Sequence, residues 1–80
     1  MLKDIEEIRT RALEELESIS DLDALERWRI SYLGRKGALT RILRTLGGLP
    51  LEERRIIGAA ANELKSLLED KLAQKEGELK

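Results

Sequence analysis

From Leu51 to Glu76 no proline interrupts the chain, and apolar residues return at Ile57, Ala61, Leu64, Leu68 and Leu72, in steps of four, three, four and four. That spacing lays one stripe along one face of an α-helix. At about 1.5 Å per residue the helix is roughly 40 Å long. A globule of 80 residues has no interior that long, so the stripe needs a partner of similar length. Only the N-terminal segments can supply it. The chain is therefore predicted to be all-α, an antiparallel helical hairpin or coiled-coil arm in which residues 1–80 form a single domain. Its two ends are expected to lie together at the base of the rod. Leu79 prolongs the stripe beyond Gly77.

The first half carries matching signals. Leu2, Ile5, Ile8, Ala12, Leu16 and Ile19 follow one another at steps of three, three, four, four and three, again one helix face. Ser20, with Asp23 three residues on, reads as a helix cap with an acidic first turn. A second helical segment then runs through Leu22, Leu25, Trp28 and Tyr32 to a stop at Gly34. Residues 18–21 are either a break between two helices or a kink in one. A short third helix is predicted from about Gly37 to Leu46, burying Leu39, Ile42, Leu43 and Leu46, and Gly47-Gly48 ends it. Pro50 suits the first turn of the long helix, where its missing N–H is not needed, and Glu52 and Glu53 suit the positive end of the helix dipole. The short helix and the glycine turns (Gly34, Gly37, Gly47, Gly48, with Pro50) are expected at the tip. Gly37 is expected at a positive φ, and Gly58 to Ala61 are expected to let helices approach closely there. Asn62 is expected to hydrogen-bond across to the tip.

Composition narrows the function. There is no cysteine and no histidine, so disulfides, thiolate metal sites and the commonest general base are all missing. No nucleophile–base constellation is present, and the chain is not expected to be an enzyme by itself. No apolar run approaches the roughly 20 residues of a membrane span, and none follows Met1 as a secretory signal requires. A reducing, cytoplasmic setting is expected.

Charge is more informative than its total. The net charge is −1, yet residues 27–55 hold eight cations (Arg27, Arg29, Arg35, Lys36, Arg41, Arg44, Arg54, Arg55) against two acids. Residues 1–26 hold nine acids against three cations. A basic middle on a nearly neutral chain points to a polyanion partner for one surface, or else to a solvated charged face. Hairpin folding would gather these cations in the half of the rod nearest the tip, with the acidic first helix toward the other end. Arg35 and Lys36 lie between Gly34 and Gly37, where a turn would hold both in solvent. Arg41 and Arg44, three apart, can share a helix face. The alternative partners for Arg41 and Arg44 are Glu52 and Glu53, and for Arg54 and Arg55 acids within their own helix. Trp28 and Tyr32, the only aromatic residues, are read as core, with a stacking platform for an unpaired base as the alternative.

The string Tyr32-Leu33-Gly34-Arg35-Lys36-Gly37, followed by Leu39-Thr40, resembles the N-terminal arm of the bacterial phenylalanyl-tRNA synthetase α subunit. The similarity includes Asp21-Leu22 and Leu25 before it, and Leu46, Leu49-Pro50, Glu53-Arg54, Gly58, Asn62 and Lys65 after it. It covers nearly the whole chain, although residues 2–20 match in character more than in motif. The resemblance implies a coiled-coil arm on an α2β2 class II synthetase that touches the outer corner of the cognate phenylalanine tRNA. It also implies that ATP, magnesium and phenylalanine are bound by a catalytic domain downstream. No cofactor, metal, small-molecule ligand or membrane is then expected for these 80 residues. Arg35 and Lys36 match the family's basic pair, and Arg54 its basic position after Pro50. Trp28 stands where an aliphatic residue is usual, and Ser31 where a basic one is frequent. Arg29, Arg35, Lys36, Arg41, Arg44, Arg54 and Arg55 are thus the candidate tRNA-binding residues. The rival readings are a protein-interaction hairpin that binds no RNA and the helical arm of seryl-tRNA synthetase. The Tyr32–Thr40 string argues against the latter.

Overall fold

The computed structural model describes residues 2–80 as four α-helices and one short 3-10 turn: α1 (Leu2–Glu17), α2 (Leu22–Leu33), α3 (Ala38–Thr45), the turn Leu46–Gly48, and α4 (Leu51–Leu79). The molecule measures 43 × 17 × 17 Å. Its long dimension matches the 29 residues of α4 at about 1.5 Å each. Gly77 does not stop this helix, whose last backbone bond runs from Lys80 N–H to the Glu76 carbonyl. The predicted stripe is the buried one: Ile57, Ala61, Leu64 and Leu68 are core, and Leu72 is half-buried. In α3, Leu39 and Ile42 are buried, while Leu43 and Leu46 are only partly covered.

Residues 18–21 are a true break. The helix cap is Asp21 and not Ser20: in extended backbone, the Asp21 carboxylate accepts the Ala24 N–H at 2.7 Å. Serine and aspartate cap equally well, so residue type alone does not choose between Ser20 and Asp21. Pro50 likewise stands one place earlier than expected, at the cap of α4, with its carbonyl accepting the Arg54 N–H at 2.9 Å.

With a real break, the first helix turns back, and its direction differs from the expected one. Leu2 and Lys3 line a groove with Ile56 and Ile57, Ile5 and Arg9 one with Ala60 and Leu64, and Leu16 and Glu17 one with Lys71 and Lys75. Residue numbers rise together along both helices, so α1 runs parallel to α4. The antiparallel return is made by α2. Met1 lies outside the described residues, but Leu2 stands where α4 begins and Lys80 where it ends. The two ends of the chain are therefore at opposite poles, not together. A chain that reverses at residues 18–21 and again after α3 has three legs, and an odd number of legs separates its ends.

Two polar bonds secure α1 to α2. The Trp28 indole N–H donates to the Ala12 carbonyl at 2.9 Å, and the Tyr32 hydroxyl donates to the Glu15 carboxylate at 2.7 Å. Ala12 is fully buried, and its methyl leaves room for the indole to reach the α1 backbone. The two rings lie 5.7 Å apart and tilted by 53°, a favourable aromatic geometry. Both are core, so they form no exposed platform. Asn62 is exposed, and its side chain makes no hydrogen bond across to the tip among the described residues. The long helix turns it outward, opposite the core stripe. Ala59 also faces solvent, whereas Gly58 and Ala61 are buried, with Gly58 against Leu46.

The glycine turn has a different cause from the one expected. No glycine has a positive φ; Gly37 sits at φ −68° and ψ 162°. What excludes a side chain is space. A Cβ on Gly37 would lie 2.7 Å from the Tyr32 carbonyl carbon, and one on Gly34 would lie 2.6 Å from the Ile30 oxygen. The chain folds back on the end of α2, with Gly37 N–H and the Thr40 hydroxyl both donating to the Gly34 carbonyl at 2.9 and 2.7 Å. Gly47 and Gly48 have open space around them.

Two outcomes follow from this packing. Gly37→Ala should lower stability by about 1–3 kcal/mol, the usual cost of overpacking against immovable atoms. Gly47→Ala, with a negative φ and no neighbour, should leave stability unchanged or raise it by about 0.4–1 kcal/mol through the unfolded chain. Urea denaturation of both variants tests the pair, and equal midpoints would overturn it. Burial first, and the Glu15 carboxylate second, push the Tyr32 hydroxyl up to about 12. The folded chain holds that proton more tightly than the unfolded one, whose tyrosine titrates near 10. The stability it contributes is complete below about pH 10 and lost as pH rises through about 12. Absorbance titration of this single tyrosine should show the high midpoint in buffer and the ordinary one in urea.

Candidate nucleic-acid interface

The loop between α2 and α3 is built to expose charge. The Gly34 N–H closes α2 on the Ile30 carbonyl at 3.2 Å, and Gly37 N–H bonds back to Gly34. Arg35 and Lys36 occupy the two positions between, and both are exposed. Along α3, burial of Leu39 and Ile42 turns Arg41 and Arg44 outward. Arg54 and Arg55 are exposed near the start of α4. The Arg54 guanidinium donates to the Leu49 carbonyl at 3.2 Å, which fixes it near that end.

None of these six cations forms an ion pair among the described residues. The pairs present are Arg29–Glu26, Lys75–Glu78 at 4.0 Å and Lys80–Glu76 at 2.7 Å. Arg41 and Arg44 are thus not neutralised by Glu52 or Glu53, nor Arg54 and Arg55 by acids of their own helix. Arg29 differs from the other candidates. It is half-buried and bonded to Glu26 one turn earlier. That hydrogen bond, with the arginine's charge, holds the Glu26 carboxyl below its ordinary range. A cation already met by a carboxylate has less to offer a second anion.

The direction of α1 alters the expected charge map without abolishing it. The first helix is not confined to one end; its 16 residues run along roughly 24 Å of the rod at about 1.5 Å each. Its first turns carry Lys3, Arg9 and Arg11 against Asp4, Glu6 and Glu7, a balanced set. From Ala12 to Glu26 there are six acids and no cation, and this stretch surrounds the α1–α2 connector, beside the final turns of α4. An acidic pole therefore stands at the Lys80 end and a basic region toward the Leu51 end. The turn of α1 also brings Lys3 beside Leu49 and Ile56. That position follows from tertiary packing, and no local motif in the sequence announces it. Arg27, exposed and unpaired among the described residues, extends the basic surface onto α2.

Among the described residues no helix is long and apolar enough to cross a membrane. No solved structure matches the chain. A family model described as the N-terminal domain of class II aminoacyl-tRNA synthetases matches residues 20–80, from the α1–α2 connector onward. The phenylalanine–tRNA ligase alpha subunit of Dehalococcoides mccartyi is 55% identical over 75 residues, covering 94% of this chain and 22% of that protein. Its counterpart in Heliobacterium modesticaldum is 48% identical over 80 residues, covering 100% of this chain and 24% of that protein. That of Roseiflexus sp. is 42% identical over 80 residues, covering 100% and 23%. The chain spans less than a quarter of the length of these relatives. Their likeness includes α1, which the family model leaves out. With the family model covering three of the four helices and these relatives all four, the chain belongs to the family of class II aminoacyl-tRNA synthetase N-terminal domains, in the form carried by phenylalanine–tRNA ligase alpha subunits.

Proposed function

We propose that this domain is a tRNA-binding arm, which supplies affinity and orientation to a phenylalanine–tRNA ligase and no chemistry of its own. The observation that carries this is the set of six exposed cations (Arg35, Lys36, Arg41, Arg44, Arg54 and Arg55) with no acid partner among the described residues. An unpaired surface cation keeps its full field for an external anion, and each phosphate it meets releases condensed counterions. Such contacts set register and orientation, while base identity is read mainly elsewhere. A cationic surface running from the α2–α3 turn to the start of α4 suits the outer corner of a folded RNA, recognised by shape and charge. On this reading the RNA is phenylalanine tRNA and the whole enzyme is a cytoplasmic α2β2 heterotetramer. ATP, magnesium and phenylalanine are bound by the catalytic domain that follows the arm, and no cofactor or metal by the arm. The acidic pole strengthens the case, because it repels phosphates from the end where the enzyme body would begin.

Charge reversal tests the reading directly. Arg35→Glu with Lys36→Glu should weaken binding to a phenylalanine tRNA transcript without loss of helicity, and Lys75→Glu with Lys80→Glu should do little. The wild-type slope of log K against log salt should be about −3 to −5, from roughly three to five phosphate contacts at about 0.9 each. Losing the two turn cations should flatten it by about two units. Equal weakening by the Lys75 and Lys80 reversals would place contact along the whole rod. Absence of any salt-dependent binding would overturn the RNA reading.

A further inference from the structure

At the end of the rod where α1 and α4 both begin, Leu2, Lys3, Leu49, Glu53, Ile56 and Ile57 line an open groove of about 430 Å³. That volume is typical of clefts that hold small molecules or single ring systems (about 300–1,000 Å³). Ile57 is buried and forms the floor, but Leu2 and Ile56 remain 48% and 58% exposed. Single exposed aliphatics mean little; several that line one concavity mark a contact site. The rim is charged. Lys3 belongs to the lining and has no ion pair among the described residues. The Arg54 guanidinium is held at the carbonyl of Leu49, another lining residue. One carboxylate, Glu53, stands among them. The groove stands a rod length of 43 Å from the Lys80 end, near Arg41, Arg44, Arg54 and Arg55, which form no ion pair among the described residues.

We propose that this groove seats a nucleobase of the bound RNA. The inference rests on the RNA reading above and adds a base contact to what is otherwise phosphate recognition. A nucleotide joins a flat, largely apolar ring face to a phosphate a few bonds away, and here an aliphatic cleft adjoins two cations in the same way. Leu2, Leu49 and Ile56 cover the ring face, and Lys3 and Arg54 meet its phosphate. Side chains of this kind pack against bases only where stacking is interrupted. The arm would therefore discriminate RNA with an accessible base from a fully paired helix, whose ring faces are hidden.

The test uses the intact 80-residue chain and two RNA stem-loops that differ only in their loops, one with bases and one abasic, so that phosphates are equal. Wild type should prefer the base-bearing loop by about fivefold, the lower limit for a base stacked on an aromatic ring, because this cleft is aliphatic. Ile56→Ser should erase that preference and leave the salt slope unchanged; Leu2→Ser should reduce it similarly. Both residues are exposed, so the fold should survive, as circular dichroism would verify. Equal affinity of wild type for both loops, or a preference that survives Ile56→Ser, would overturn the nucleobase seat while the phosphate reading stands. No binding to either RNA would overturn both. Concentration-dependent dimerisation of wild type that Ile56→Ser abolishes would overturn the seat by assigning the groove to a second copy of the chain.

Discussion

A continuous helix of 29 residues in so short a chain leaves about fifty residues to cover its apolar side. No single remaining segment is long enough. Coverage is therefore shared: α1 lies alongside most of α4, and α2 and α3 make the return leg in two pieces. The product is a rod 17 Å across, with a core only one side chain deep, centred on Ala12, Leu39, Ala61 and Leu68, which are 0–1% exposed. In so thin a body every charged side chain reaches water. Among the described residues no polar or charged residue is buried, and Arg35, Lys36, Arg41, Arg44, Arg54 and Arg55 all stand exposed to water. What they give to an anion is set by the carboxylates nearby.

Much of this was legible in the sequence because periodicity is a one-dimensional signal. The stripe from Ile57 to Leu72 follows from spacing, the end of α2 at Gly34 and the short α3 from glycines flanking apolar spacing, and the all-α class from both. The direction of α1 did not. Leu2, Ile5, Ala12 and Leu16 mark which face is buried, but a face does not say which way its helix runs. That was decided at residues 18–21, where Asp21 capping competes with a continuous helix on terms too even to read from residue types. At Gly34 and Gly37 a side chain is excluded by space and not by a left-handed backbone, while Gly47 and Gly48 have open space around them. A backbone that folds tightly against Tyr32 needs the absence of a Cβ as surely as a left-handed turn does, and one-letter code does not distinguish the two. Asn62 failed in the opposite sense: its polarity drew attention where its place on the helix meant only exposure.

The charge arrangement was visible as a basic middle and an acidic beginning, but its three-dimensional form depends on the fold. Pairing is the decisive detail. Arg29 and Arg35 both count among the basic middle, but Arg29 lies one helical turn after Glu26 and bonds to it, whereas Arg35 lies in the turn beyond Gly34. Lys3 shows the converse. It belongs to the acidic segment by sequence and to the basic end by packing. The seven residues singled out in the sequence therefore divide into six cations with no acid partner among the described residues and one already neutralised, with Lys3 brought beside them by the fold.

Because the chain has three legs, whatever is joined after Lys80 is held about 43 Å from whatever lies against Leu2. An antiparallel hairpin with both termini at its base would instead carry its far end as a loop, free to vary in length. Here Leu2 lies at the far end, and its separation from Lys80 is set by the count of residues in α4. A one-residue insertion in that helix would lengthen the rod by about 1.5 Å and rotate one end against the other by about 100°. The arm thus behaves as a gauge with both a length and a phase. Its tolerance to insertion should be lowest where the helix is most regular, and greatest in the connectors at residues 18–21 and 46–50, which change neither.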